Sequence, residues 1–220
     1  MKREHLLASG IEKLLFDHPG LRLVPSSSAQ TQIAGTIAFR CTNGVELVED
    51  TFEIEISLPD GFPKTLPLVR EVGGRIPRDF HTNQSGALCL GAPIRLRIEL
   101  ANDPNLPSFV EKCVIPFFYG RSIFEKCGRM PFEELAHGVE GIRNDFATLF
   151  DVTNAPAAEL LVWLTSMKRR LANKYTCPCG SSEKLGRCKH HFEVNRLRSL
   201  LGRSTFRDQY QWLKSSNLAK

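Results

Sequence analysis

Asp79-Phe80-His81-Thr82-Asn83-Gln84-Ser85-Gly86-Ala87-Leu88-Cys89-Leu90-Gly91 sets a single thiol beside a polar pair, and the rest of the chain is best read outward from it. Cys89 lies between Leu88 and Leu90, which can anchor the backbone in a core, while Gly86 and Gly91 permit a tight turn that leaves the sulfur facing outward. His81 and Asn83 occupy alternate positions of an extended segment, so both can point to one face. An amide donor beside a nucleophilic sulfur suits acyl chemistry, because the attacked carbonyl becomes an oxyanion that must be held. The competing reading is plain packing, since an isolated cysteine between leucines commonly serves as a small buried hydrophobe.

Upstream, Leu7, Ile11, Leu14 and Leu15 recur at helical spacing between residues 2 and 17, and His18-Pro19-Gly20 supplies a stop. Leu21 to Val24 reads as a short strand, residues 31 to 41 as a second, and Thr42-Asn43-Gly44 as the turn into a third. In that third strand Phe52, Ile54, Ile56 and Leu58 alternate with Glu53, Glu55 and Ser57, which demands one buried face and one wet one. Asp60 to Pro67 forms a rigid connection, and Leu68 to Val72 a fourth strand. A helix followed by a four-stranded antiparallel meander is an α+β pattern.

Downstream, Ile94 to Leu100, Phe109 to Tyr119 and Ile142 to Phe150 read as helices, with Glu133, Glu134 and Leu135 carrying the pattern on after Pro131. Pro156 opens a long helix that is expected to end in Lys168-Arg169-Arg170. After a cysteine-rich knot, Leu197, Leu200 and Leu201 continue as helix to a break at Gly202, beyond which Ser204 caps a last helix through Leu213.

At 220 residues the chain holds one domain of about 150 residues and a small appendage. Residues 1 to 155 carry 16 Lys and Arg against 20 Asp and Glu, whereas residues 156 to 220 carry 13 against 4. The expected division is therefore an acidic domain over 1–155 and a basic helical extension over 156–220. That extension can attract an acidic protein face, with nucleic acid ranked behind it on the expectation that no stacking aromatics interleave with the charges. Seven cysteines, an odd number, without a secretory signal point to a reducing, cytoplasmic setting. No apolar run approaches membrane-spanning length.

The ordered set of a helix, strands, Phe62-Pro63 with Pro67, His81 with Asn83, and Gly86-Ala87-Leu88-Cys89-Leu90 resembles a ubiquitin-conjugating enzyme over roughly residues 2 to 100. The resemblance implies that Cys89 is the acceptor cysteine and that His81 and Asn83 correspond to the family's His-Pro-Asn. Thr82 stands where that motif has proline, the loop from Asn83 to Cys89 is slightly shorter than is typical, and no tryptophan follows the cysteine closely. Beyond Leu100 the chain looks more like bacterial relatives, including those of the antiphage system CBASS. For those the resemblance implies action on a cyclic-nucleotide-synthesising nucleotidyltransferase.

Cys177-Pro178-Cys179-Gly180-Ser181, a spacer and Cys188-Lys189-His190-His191 resemble the SEC-C type of zinc motif. Cys177, Cys179, Cys188 and His190 are the nearest ligand set for a structural zinc ion within a knuckle over 177–191, and His191 remains the alternative to His190. His137 reads as a structural histidine, and Cys41, Cys113 and Cys127 as packing residues. Arg75 and Arg78 either meet a docked acidic tail or are solvated strand ends.

Three functions follow. The first is an acyl carrier in which Cys89 takes the C-terminal carboxyl of a protein as a thioester, activated elsewhere because the chain has no Gly-rich nucleotide loop. The second is a non-catalytic adaptor of the same fold that docks a partner through the basic zinc tail. The third, a cysteine peptidase using Cys89 with His81 or His137, rests on the cysteine's neighbourhood alone.

Overall fold

The computed structural model describes residues 9–25, 30–131 and 138–216, and divides the chain into two compact units, Met1–Glu134 and Leu135–Lys220. The upstream part of the expected first helix and His137 lie outside the described residues.

Among the described residues the first element of the first unit is α1 (Ile11–Asp17), whose Ile11 and Leu14 are buried. Four strands follow: β1 (Leu21–Val24), β2 (Thr31–Thr42), β3 (Leu47–Leu58) and β4 (Leu68–Glu71). They form one antiparallel sheet in the order β1-β2-β3-β4, a meander with each strand beside its sequence neighbour. The register sets Ile33 opposite Ile56 and Ile37 opposite Phe52, so the period-two pattern places the apolar rows of both central strands on one face. Gly35 lies opposite Leu21, where a Cβ would meet the Gly20 carbonyl oxygen at 2.1 Å, so only glycine lets β1 approach this closely.

The buried sheet face is covered by helices. After α2 (Pro93–Asn102) and the short α3 (Leu106–Phe109), one π-helical turn over Val110–Val114 leads into α4 (Ile115–Cys127). The wide turn sits just ahead of Pro116, whose ring and missing N–H are incompatible with regular α-helical bonding. Phe118 of α4 stacks on Phe52 of β3 at 4.3 Å between ring centres, and the Tyr119 hydroxyl donates to the Glu46 carbonyl at 3.0 Å.

Arg75 belongs to neither role the sequence left open for it. Its guanidinium grips Asp50 through two bonds of 2.8 and 2.9 Å, reaches Glu125 at 2.6 Å, and lies 4.0 Å over the Phe52 ring. The Arg75 hydrogen bonds hold the Asp50 carboxyl down at about 2 against the opposing effect of burial. A depressed carboxylate contributes stability above its unfolded value, here about 1 kcal/mol once solvent screening of this partly exposed pair is allowed for, and that contribution is lost as pH falls through its folded value. Asp50→Asn is therefore expected to lower the stability of this unit by about that amount near neutral pH, with the gap to wild type closing between about pH 4 and about pH 2. Denaturant melts across that window measure it.

The second unit is helical. It comprises α5 (Gly138–Phe150), α6 (Ala155–Ser166), the four-residue α7 (Arg169–Ala172), a 3-10 turn (Leu185–Arg187) and α8 (His190–Ser215). Helix α6 packs against both α5 and α8, so residues 138–150, which follow the sheet-bearing segment without a marked shift in composition, associate with the C-terminal helices. Helix α6 stops at Ser166 rather than running into Lys168-Arg169-Arg170. The cations that meet its last carbonyls come instead from α8, where Arg198 donates to Leu164 and Thr165 and Arg203 to Ser166. Gly202 interrupts α8 with φ 77° and ψ 157°, a conformation closed to ordinary side chains. Among the described residues no helix is long and apolar enough to cross a membrane.

Candidate functional site

Cys89 sits on a small hairpin beside the edge of β4. The Leu88 N–H donates to the Val69 carbonyl at 2.8 Å, which adds the cysteine's own segment to the sheet. Leu88 is buried and Leu90 packs against the core, leaving Cys89 exposed between them. The other arm of the hairpin is residues 81–83. Thr82 pairs with Leu88 as an isolated antiparallel bridge, the Cys89 N–H donates to the His81 carbonyl at 2.7 Å, and the Asn83 N–H donates to the Ala87 carbonyl at 2.9 Å. In that register His81 lies directly across from Cys89 and Asn83 across from Ala87.

The turn between the arms is built by Asn83. Its side-chain oxygen accepts from the Ser85 N–H at 2.9 Å, the Ser85 hydroxyl at 2.7 Å and the Ala87 N–H at 3.0 Å. The acceptor end is thus spent on the turn, and the NH₂ end is the one that retains donors for a ligand. Thr82 uses its hydroxyl to donate to the Arg78 carbonyl, a bond no proline at this position could make. His81 adopts φ 45°, and its ring meets Phe80 edge-on at 4.9 Å. Arg70 of β4 donates to the Ser85 carbonyl at 3.2 Å and so holds the turn from outside. No motif marks Arg70, whose position on a strand reads as any outward-facing residue.

Desolvation of the sulfur pushes the Cys89 thiol up from its ordinary value, although the residue as a whole is exposed. Among the described residues no neighbouring cation offsets that rise. The remaining cysteines of the first unit divide: Cys113 is buried, with burial pushing its thiol up to about 11, and Cys41 is half-buried against the core. Cys127 is not a packing residue, because the last turn of α4 leaves it exposed beside the Arg129 carbonyl.

The second site lies in the C-terminal unit. Thr176 bridges Lys184, and the Cys177 N–H donates to the Glu183 carbonyl at 2.8 Å, folding the Cys-Pro-Cys-Gly segment back on itself. Gly180 at φ 87° and Ser182 at φ 60° provide the sharp turn. The result brings the ligand atoms of Cys177, Cys179, Cys188 and His190 within 4.8 Å of one another, a group that can hold a metal ion. The Cys179 and Cys188 sulfurs are 3.5 Å apart, and His190 Nδ1 lies 3.3 Å from Cys188 and 3.7 Å from Cys177. Tetrahedral zinc with bonds of about 2.3 Å to sulfur and about 2.0 Å to nitrogen has edges of roughly 3.5–3.8 Å, so the donor set fits that ion.

His190 Nε2 lies 3.4 Å from the Asp151 carbonyl, which fixes the tautomer with Nδ1 free to bind metal, and Lys189 pairs with the Asp151 carboxylate at 2.8 Å. His191 points elsewhere, to Asn173, Asn195 and Arg169. Burial pushes the Cys177 thiol strongly up, so its thiolate form needs a cation alongside. Asp151 carries no sequence signal as a metal-site residue, since it acts through its backbone carbonyl.

Part of the chain is 34% identical over 74 residues to ubiquitin-conjugating enzyme E2 27 of Arabidopsis thaliana. The match covers 34% of this chain and 37% of that protein, little more than a third of the plant enzyme's length. It supports a relationship of the ubiquitin-conjugating kind. No family model matches the chain. No solved structure matches it significantly.

Proposed function

We propose that the protein is an acyl carrier of the ubiquitin-conjugating type, in which Cys89 takes the C-terminal carboxyl of a protein as a thioester and hands it to an amine or a thiol. The observation that carries this reading is the exposed Cys89 on a hairpin hydrogen-bonded to β4, with His81 directly across from it and Asn83 forming the turn. The similarity to the plant enzyme and the order of helix, four-stranded meander, cysteine and helices support it. The fold proposed for the sheet-bearing part is correspondingly a ubiquitin-conjugating-enzyme-like core.

The chemistry is an exchange between sulfurs. The Cys89 thiolate attacks the carbonyl carbon of an incoming thioester and forms the new C–S bond; collapse of the tetrahedral intermediate restores the carbonyl, breaks the old C–S bond and expels the donor sulfur, which takes up a proton. In the second step an acceptor amine attacks, the Cys89 C–S bond breaks, and the amine's proton balances the departing thiolate. Exchange between similar thiols is close to thermoneutral, so the site's work is to position the carbonyl and hold the oxyanion. Asn83 is the proposed donor to that oxyanion through its NH₂ group, and His81 shapes the loop that presents Cys89. We assign the metal group a structural role, because its four ligands leave no open position, with zinc as the ion.

Residues 1–155 are proposed to carry the transfer chemistry, and the basic segment 156–220 with its zinc knuckle to dock partners. The proposed setting is the bacterial cytoplasm, in CBASS antiphage defence. The acylated protein in this reading is a cyclic-nucleotide-synthesising nucleotidyltransferase, a choice that rests on family resemblance. Intact mass spectrometry of protein purified with its activating partner tests the carrier reading: a protein-sized adduct on Cys89 that dithiothreitol removes is the expected result.

Asn83→Asp separates two roles. Aspartate keeps the oxygen that accepts from Ser85 and Ala87 but removes the NH₂ donor. Transfer is expected to slow by on the order of a hundredfold while the melting temperature stays near wild type. Undiminished transfer in this variant would leave Asn83 as a turn residue only. The raised Cys89 thiol favours a second reading, a non-catalytic module of the same fold, and the absence of any adduct in the mass experiment would select it.

A further inference from the structure

Beyond the end of α6, three arginines from separate places in the second unit converge. Arg198 donates through Nε to the Thr165 carbonyl at 3.1 Å and through Nη2 to Leu164 at 2.9 Å, and Arg203 donates through Nε to Ser166 at 3.1 Å. Arg169 approaches from the other side, its Nη2 3.3 Å from His191 Nε2. Asn195 links the two sides, accepting from Arg198 and lying 3.1 Å from the His191 ring. His191, Asn195 and Arg198 follow one another at i, i+4 and i+7 on a single face of α8, so the cluster forms a continuous stripe.

Every partner named for these guanidinium groups is neutral. The carboxyl end of α6 contributes the equivalent of about half a negative charge, against three full positive ones. Lys168 and Arg170, both exposed, flank Arg169 and add to the excess. Glu193, two residues after His191, is already held by Arg196 with bonds of 2.7 and 2.8 Å. The crowding registers on Arg198 itself: burial, then Arg169 and Arg203, draw it below the ordinary guanidinium value. Like charges held this close leave a field that an anion would relieve.

Phe192 adds a feature of a different kind. It follows His191 on α8, with the two rings 5.6 Å apart and at 83° to each other, and it is 79% exposed. An acidic peptide would use the guanidinium groups and gain nothing specific from an open phenyl face. A nucleic-acid strand uses both, its phosphates meeting the arginines and a base stacking on the ring. We propose that this face of the C-terminal unit binds single-stranded nucleic acid, with phosphates on Arg169, Arg198 and Arg203 and a base stacked on Phe192. The proposal is independent of the transfer chemistry assigned to Cys89.

Fluorescence anisotropy with the full chain and a labelled oligothymidylate of about 12 nucleotides, a length within the range of single-strand sites, tests it. Arg169→Glu and Phe192→Ala are the informative variants, because Arg198 and Arg203 also cap α6 whereas Arg169 and Phe192 are exposed. Circular dichroism melts verify that both variants fold. The wild type is expected to bind, with affinity falling steeply as salt rises. Phe192→Ala should weaken binding about tenfold with its salt slope unchanged, and Arg169→Glu should weaken it at least as much with a shallower slope. A labelled oligoglutamate peptide is the control. Peptide binding as tight as that of the oligonucleotide and indifferent to Phe192→Ala would overturn the proposal in favour of an acidic protein partner. Failure of the oligonucleotide to bind at low salt, or binding indifferent to both variants, would overturn it as well.

Discussion

Cys89→Ala is expected to eliminate adduct formation completely, because the acyl group then has no sulfur to receive it and no covalent intermediate can form. The loss should come without a structural penalty. Cys89 is exposed, and the hairpin that presents it is held by the Leu88 and Cys89 N–H groups and by the buried Leu88 side chain, none of which the substitution removes. Surface truncations of this kind stay within about 0.5 kcal/mol. Cys89→Ser keeps an oxygen in the same place, and if acylated it should yield an ester that resists thiol reagents where the wild-type adduct does not. The measurement is intact mass before and after dithiothreitol, with activating partner and substrate present. Full conjugation by Cys89→Ala would sink the carrier proposal and leave the binding module as the better account.

Removing metal from the C-terminal unit is expected to have the second large effect. The segment from Thr176 to His190 buries little besides Leu185 and the ligands themselves, so its order depends on what joins Cys177, Cys179, Cys188 and His190. Structural zinc contributes on the order of 10 kcal/mol or more to small domains of this type. The unit contains both tryptophans of the chain, Trp163 and Trp212, and Trp163 packs edge-on against Tyr175, immediately before the knuckle. Chelation, or Cys177→Ser, should therefore shift tryptophan emission to the red and release close to one zinc per chain to a colorimetric indicator. Elemental analysis that finds no zinc in protein purified without chelator would refute the assignment.

Asp50→Asn and Asn83→Asp probe finer points of the same architecture. The first tests whether the Arg75 ion pairs stabilise the sheet-bearing unit. The second tests whether an asparagine whose oxygen is committed to a turn can still serve chemistry with its nitrogen.

What could be read from the residues alone was whatever a few neighbours encode. The alternation of Phe52, Ile54, Ile56 and Leu58 determined a half-buried strand, since side chains on a strand switch faces at every residue. Gly202 announced the break in α8, because the pairing of φ 77° with ψ 157° is open only to a residue without a Cβ. The close spacing of Cys177, Cys179 and Cys188 determined that three sulfurs would meet once the segment turned. Everything that depended on partners distant in the chain waited for the tertiary structure. Arg75 is a solvated strand end until β3 and α4 bring Asp50 and Glu125 to it. His190 and His191 are interchangeable by spacing, and only the Asp151 carbonyl, far upstream, orients His190 for metal while Asn173 and Asn195 draw His191 away. Residues 138–150 look no different from the helices before them, yet the face they bury matches α6 and α8. The same holds for Arg169 and Arg198: they are distant in sequence, and packing brings both to His191 and Asn195. Backbone preference acts over about one turn or one strand and so survives in the local pattern, whereas the partner of a long side chain is chosen by which elements pack, a choice no short stretch of sequence contains.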